Sequence, residues 1–266
     1  MKYQQGKYTK NWLFIYVCLF FSLISCDKTP QEKDGMVLIK GNSNLKDFWL
    51  DVSPVTVAQF REFVQQTHYK TQADQFGDAG VFDFPTGSWG LIKGATWAYP
   101  FGRDSAAAKT DHPVTQVSWN DAIAYCKWAN KRLPTSEEYI FAEKNGETDY
   151  ALKYTWGDSF IENNQYKANF WQGKFPIINT LNDSFLTTSP VGYFGKNKLG
   201  LVDIEGNVWQ WCSDDSTEKP DQKNQRGGSY LCDPTVCHGF KIGGESSCTP
   251  ETSLAHTGFR CAKNAF

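Results

Sequence analysis

The chain has 266 residues, of which 40% are hydrophobic and 21% charged, a balance that fits one large domain with a sizeable core. Its formal net charge of -2 excludes the basic field by which proteins attract nucleic acid. The 10 Trp, 19 Phe and 12 Tyr stand beside 22 Gly, which points to a loop-rich fold held by scattered bulky anchors rather than by long amphipathic helices.

At the N-terminus, Lys2, Lys7 and Lys10 precede an apolar run from Trp12 to Ile24, too short for a comfortable membrane span. The run ends in Leu23-Ile24-Ser25-Cys26, which resembles a bacterial lipobox and implies cleavage before Cys26 and a lipid chain on its sulfur. The alternatives are a plain signal peptide and an uncleaved anchor. The chain then divides into an export segment (1–25), a polar tether (26–35) and a domain (36–266). The expected location is outside the cytoplasm, anchored to a membrane on the periplasmic or outer-membrane face. Disulfides persist there. Cys18 and Cys26 belong to the export segment, which leaves Cys126, Cys212, Cys232, Cys237, Cys248 and Cys261 in the domain.

Along the domain, Met36–Ile39 and Phe48–Val52 read as short strands. A helix is expected over Thr56–Thr67, capped by Thr56, with Val57, Phe60, Phe63 and Val64 at helical spacing. Residues 69–113 read as a long irregular stretch. Ser118–Asn130 is a second helix, capped by Ser118 or Asn120, with Ala122, Ile123, Cys126 and Trp128 buried. Thr135–Asn145 opens with T-x-x-E, a capping box, and is a third helix. From Trp156 to Phe259 short strands and turns carry the chain. The fold class is therefore α+β, with much coil.

The stretch RGGSYLCDPTVCHGF places Cys232 and Cys237 five positions apart with a proline between them. In an exported chain this pair reads either as a local disulfide or as a two-thiolate site. Two soft sulfur ligands suit Cu(I), which accepts low coordination. No second Cys-x-x-Cys or His-x-x-His completes a zinc site, and the chain has 4 His in all.

The blocks DHPVTQVSWNDAIAYCKWANKRLPTSEEY (111–139), YTWGD (154–158), ANFWQGKFPIINTLNDSF (168–185), GLVDIEGNVWQW (200–211), RGGSYLCDPTVC (226–237) and HTGFRCA (256–262) together resemble the formylglycine-generating enzymes, or sulfatase-modifying factors. The resemblance implies a loop-rich, calcium-bound single domain related to the C-type lectin fold. It implies oxidation by O2 of a cysteine in a client's C-x-P-x-R motif, as in sulfatases, to Cα-formylglycine, with Cu(I) held by Cys232 and Cys237. Trp209 matches the tryptophan lining the oxygen pocket, and Ser229 a serine that hydrogen-bonds nearby; their plainer readings are a core aromatic and a turn residue. One calcium site is implied at Asn169, Phe170, Asp183 and Phe185. A second is implied at Asp203, Gly206, Val208 and Gln210, where Gln210 stands for the family's usual glutamate and Glu205 is a compensating carboxylate. A Cys126–Cys261 bridge occurs in some members. Asp233, Val236, the run His238–Lys241 and His256-Thr257 depart from the family pattern around the client groove, to which Asp111 and Trp97 also match. The alternative function is a non-catalytic lipoprotein of the same fold, acting as a surface binding or assembly module.

Overall fold

The computed structural model describes residues 1–3 and 30–265. The export segment from residue 4 onward, Cys18 and the lipidation candidate Cys26 lie outside the described residues.

Short-range chemistry starts each helix. Helices α1 (Val57–Thr67), α2 (Gln72–Phe76), α3 (Trp119–Trp128) and α4 (Ser136–Glu143) begin after Thr56, Thr71, Ser118 and Thr135. Each of these hydroxyls accepts an amide three residues on. The residues there, Gln59, Asp74, Asp121 and Glu138, accept the cap's own N–H in return. Such caps contribute roughly 1 kcal/mol each, which matters in helices too short to persist alone. Ser118 rather than Asn120 caps α3. On that helix Ala122 and Cys126 are buried as expected, but Ile123 and Trp128 are only half-buried, and Tyr125 and Asp121 take the other inner positions.

The strands are short. β1 (Glu32–Lys33), β2 (Met36–Ile39) and β3 (Phe48–Asp51) come first. β1 pairs with β2, so the end of the stretch read as a tether belongs to a sheet. Residues 69–113 are less irregular than their composition suggests. They contain α2 and a hairpin of β4 (Asp78–Asp83) with β5 (Ser88–Lys93). Its strands mix Gly, Asp and Ser with apolar residues, which hides the alternation that marks a strand. Two small hairpins follow: β6 (Ile161–Glu162) with β7 (Gln165–Tyr166), and β8 (Gly173–Lys174) with β9 (Ile178–Asn179). Then come β10 (Trp209–Asp215), β11 (Lys223–Arg226), β12 (Glu245–Cys248), β13 (Thr257–Gly258) and β14 (Ala262–Asn264).

One sheet has the order β1-β2-β3-β14, so the end of the domain pairs with its beginning; the other has the order β12-β11-β10-β13. Because β10 belongs to the second sheet, Trp209 and Trp211 project from a rigid frame. The largest core cluster gathers Phe60, Phe63, Tyr125, Trp211 and Phe259 between α1, α3 and that sheet. Trp97, matched above to the groove, belongs to this core. It is 9% exposed and meets Phe60 edge-to-face at 5.5 Å.

Two buried carboxyls tie surface loops to this frame. Glu143, at the end of α4, is 0% exposed, and one of its oxygens accepts the Gly243 N–H at 2.9 Å. Glu205, 2% exposed, accepts the Thr155 N–H at 3.0 and 3.2 Å. Burial lifts Glu143 to about 8, against the weaker opposing pull of the Gly243 N–H and Arg226. Burial, then repulsion from Glu143, raises Glu205 as well. A carboxyl raised on folding stabilises fully below its unfolded value and loses that contribution as pH rises through its folded value. Stability to heat is therefore expected to fall as pH climbs from about 4.5 towards about 8. Glu143→Gln, which cannot ionise, is expected to flatten that fall in a series of melting curves; an unchanged slope refutes the assignment.

Candidate functional site

The two cysteines of the GGSYLC–C stretch meet. Their Sγ atoms lie 3.2 Å apart. They are not equivalent: Cys232 is buried and Cys237 exposed. Cys232 is fixed from several sides. Its carbonyl accepts the Trp171 N–H at 3.0 Å, its own N–H donates to Ser229 O at 2.9 Å, and its sulfur accepts the Ser229 N–H at 3.4 Å. The hydroxyl of Ser229, a fully buried residue, lies 3.9 Å from the same sulfur.

Close packing explains the glycines here. Gly228 has φ +72°, and a Cβ on it would lie 2.4 Å from the Phe240 nitrogen. A Cβ on Gly239 would lie 2.4 Å from the Trp209 ring and 3.2 Å from Cys232 Sγ. The Trp209 indole, the Gly239 backbone and the buried sulfur are thus in contact, and Trp209 is 3% exposed. Beneath them lies an aromatic stack. Phe170 and Phe240 are 4.3 Å apart at 14°, Phe240 and Tyr154 5.7 Å at 7°, and Tyr154 and Trp156 5.1 Å at 9°. The Tyr154 hydroxyl meets His238 Nε2 at 2.7 Å, which pins the residue after Cys237. Nothing in residue spacing marked Tyr154; only the fold brings YTWGD under the cysteine loop.

The sulfur pair shares protons unequally. Burial pushes the Cys232 thiol well up. The hydrogen bond from Cys232, and then the Gly239 N–H, bring Cys237 down to about 7, against burial and the Asp233 charge. The exposed sulfur is therefore the thiolate and the buried one its donor. Among the described residues no group of three or more His, Cys, Asp or Glu is placed to hold a metal ion. An ion at this pair would rest on two sulfurs, a donor set for a soft monovalent cation.

The residues matched to the first calcium site come together. Asp183, 4% exposed, accepts the N–H groups of Phe185 at 2.9 Å and Phe170 at 3.3 Å. Asn169 is 1% exposed, and its side-chain oxygen has no hydrogen-bond partner. The unpartnered Asn169 oxygen and the buried Asp183 carboxyl, which holds the N–H of the residue after Asn169, Phe170, are oxygen ligands of the kind a hard cation takes, although the Phe170 carbonyl already accepts from the Gln172 amide. The second set fits poorly. Gln210 Oε1 accepts from Arg260 Nε at 2.6 Å, and Gln210 Nε2 donates to Asp203 O at 2.8 Å. A guanidinium on that oxygen repels a cation there. The Asp203 carboxylate accepts from the Gly192 N–H at 2.6 Å, and Glu205 is engaged by Thr155.

Cys126 and Cys261, both buried, have their Sγ atoms 3.1 Å apart. Cys212 and Cys248 are not brought together. Cys212 sits in the cluster beneath α4, whereas Cys248 packs against the one around α1 and α3. Asp111 is exposed. Trp89, at 44% exposure, meets the His256 ring edge-on at 4.7 Å, and the His256 carbonyl accepts the Trp209 N–H at 2.9 Å, so His256 does border the site. Asp233, read as a groove residue, is 1% exposed; its side chain folds back into its own loop.

Residues 27–265 match the family model described as the sulfatase-modifying factor enzyme 1-like domain. The chain belongs to that family. It is 38% identical to a formylglycine-generating enzyme of Mus musculus over 245 residues, 81% of this chain and 65% of that relative. It thus spans about two thirds of the mouse protein's length. It is 37% identical to a formylglycine-generating enzyme of Streptomyces coelicolor over 251 residues, 83% of this chain and 79% of that relative. It is also 38% identical to a mouse protein named inactive C-alpha-formylglycine-generating enzyme 2, covering 89% of this chain and 81% of that one. Among solved structures, PvdO from Pseudomonas aeruginosa superposes with a TM-score of 0.61 at 21% identity, covering 82% of this chain and 81% of PvdO. That likeness supports the family's loop-rich α+β fold.

Alkylation of Cys237 by iodoacetamide is expected to rise with pH around a midpoint near 7. In Cys232→Ala, which lacks the sulfur donor, the midpoint is expected to move up. Mass mapping of the labelled cysteine checks both, and an unshifted midpoint refutes the shared-proton reading.

Proposed function

We propose that this chain is an oxidoreductase that converts a cysteine of a client protein to Cα-formylglycine, with Cys232 and Cys237 holding Cu(I). The observation that carries the reading is the sulfur pair itself: two thiols at 3.2 Å, one sealed against Trp209 and one open to solvent. The matches to formylglycine-generating enzymes over most of the chain support it. Bound copper would supply the activation of O2. The chain's own groups would do the rest. Cys232 is held by Ser229 and Trp171 so that one ligand stays fixed. Cys237, ionised near neutral pH, presents the other at the surface, where a client thiol can approach. Trp209 covers the buried sulfur and keeps water from it.

The substrate class follows as a cysteine in an exposed or extended client segment, of the C-x-P-x-R kind found in sulfatases. Replacing a C–SH by an aldehyde with release of hydrogen sulfide removes two electrons, whereas O2 reduced to water accepts four, so an external thiol must supply the difference. The N-terminal pattern of Lys2, Lys7, Lys10 and Leu23–Cys26 supports an exported protein tethered through Cys26. The likeness to the inactive mouse relative favours, as a second reading, a binding module of the same fold.

The residue 30–266 domain, incubated with Cu(I), oxygen, a thiol reductant and a C-x-P-x-R peptide, is expected to exchange the peptide's sulfur and two hydrogens for one oxygen, read by mass spectrometry. Cys232→Ser and Cys237→Ser are expected to abolish conversion while leaving the far-ultraviolet circular dichroism unchanged. Copper binding without conversion favours the binding module.

We also propose a calcium ion at Asn169 and Asp183. A ligand at 100 times its Kd stabilises by roughly 2.7 kcal/mol. Chelation is therefore expected to lower the melting temperature of the wild type by several degrees and that of Asp183→Asn much less. Equal sensitivity removes the ion from this site.

A further inference from the structure

We propose that Asp233 is the positioning residue of the sulfur pair, the clamp that holds the exposed Cys237 against the buried Cys232. The two cysteines reach their contact by different means. Cys232 is locked by groups from outside its loop, the backbones of Trp171 and Ser229. Cys237 itself is held only within its loop, and the one outside contact nearby is the Tyr154 hydroxyl on the following residue, His238, at 2.7 Å. Thr235, Val236 and Cys237 are all exposed, and Val236 is 67% exposed. What fixes the stretch between the two cysteines is the residue next to Cys232. Asp233 Oδ1 accepts the Thr235 N–H at 2.6 Å, the Thr235 hydroxyl at 2.5 Å and the Val236 N–H at 3.2 Å. The Asp233 carbonyl accepts the Cys237 N–H at 3.0 Å. One carboxylate oxygen thus nucleates an Asx turn, and that turn aims the Cys237 amide at the same residue's carbonyl. Pro234 stiffens the step between.

The consequence is entropic. A short loop with a flexible arm samples many separations of its ends, and a turn held by three hydrogen bonds to one anion samples few. The clamp therefore raises the effective concentration of one sulfur at the other. It favours whatever joins them, a soft ion or an S–S bond, without its carboxylate touching either sulfur. Its carboxylate is taken up inside the loop, and this is why a residue beside the candidate client groove is 1% exposed.

This inference deepens the copper reading but its test does not depend on it, because the equilibrium of the two thiols with glutathione reports their effective concentration with no metal present. In Asp233→Ala the equilibrium constant for forming the Cys232–Cys237 bond is expected to fall about tenfold, the effect of losing roughly 1.4 kcal/mol of preorganisation. Cu(I) affinity, measured by competition with a chromogenic chelator, is expected to fall by a similar factor. Asp233→Asn keeps an acceptor oxygen at Oδ1 and is expected to restore both to within about twofold, a rescue that a merely electrostatic role for the carboxylate excludes. Asp233→Ala with wild-type thiol and copper equilibria overturns the proposal, as does an Asn variant as impaired as the Ala variant. Should Asp233→Ala fail to fold, Thr235→Val decides. A loss of a few-fold in both equilibria supports the clamp, and wild-type values overturn it. A wild type that binds no Cu(I) but loses thiol pairing in Asp233→Ala refutes the copper reading and keeps the clamp.

Discussion

The guanidinium of Arg260 is the hub on which the rest of this structure hangs. It is 0% exposed, and it donates to Gln210 Oε1 and to the carbonyls of Asp51, Val52, Val202 and Asp203 at 2.6 to 3.3 Å. These contacts use the full set of its N–H groups. An isolated buried charge costs far more than the fold's net stability. Those oxygens therefore cannot drift, and the end of β3 is drawn to the same point as the turn before Gly206 and the strand β10 that follows it. Through β10 the constraint reaches the site, because Trp209 lies beside Gln210 and its ring rests on Gly239 and Cys232.

From that hub the site divides into a rigid half and a loop half. The rigid half is Cys232, Ser229, Trp209 and the aromatic stack under them. It belongs to the core in every physical sense: buried, hydrogen-bonded and packed to the limit that glycines at 228 and 239 permit. The loop half is Cys237 with its turn. A buried thiol alone is inert and an exposed one alone is indiscriminate. At 3.2 Å the buried sulfur shares its proton with the exposed one, which brings Cys237 down toward neutral pH.

The hub also fixes the role of Gln210. Gln210, in place of the acid the pattern leads one to expect, accepts from Arg260 with its oxygen and donates to Asp203 with its nitrogen. A neutral amide bridges a guanidinium and a carbonyl without adding charge to the interior. The oxygens around it are saturated by an internal cation, which leaves the first set, with its unpartnered Asn169 oxygen, as the better place for an ion.

Much of this was legible in the residues alone. A cap at Thr56, one at Ser118 or Asn120 and a capping box at Thr135 announced three helices because a cap is a contact between residues three apart, and such contacts survive in any fold. The Cys-x4-Cys pair was legible as a local disulfide or a two-thiolate site, and the fold shows its sulfurs 3.2 Å apart with one buried and one exposed. Tertiary structure alone decided the rest. Cys126 and Cys261, 135 positions apart, are neighbours; Cys212 and Cys248 are not. Trp97 is core, Asp233 is an internal clamp, and Tyr154 reaches His238 from 84 positions away. A side chain's burial and its distant partners depend on which surfaces the whole chain folds together, and no local pattern of residue types carries that information.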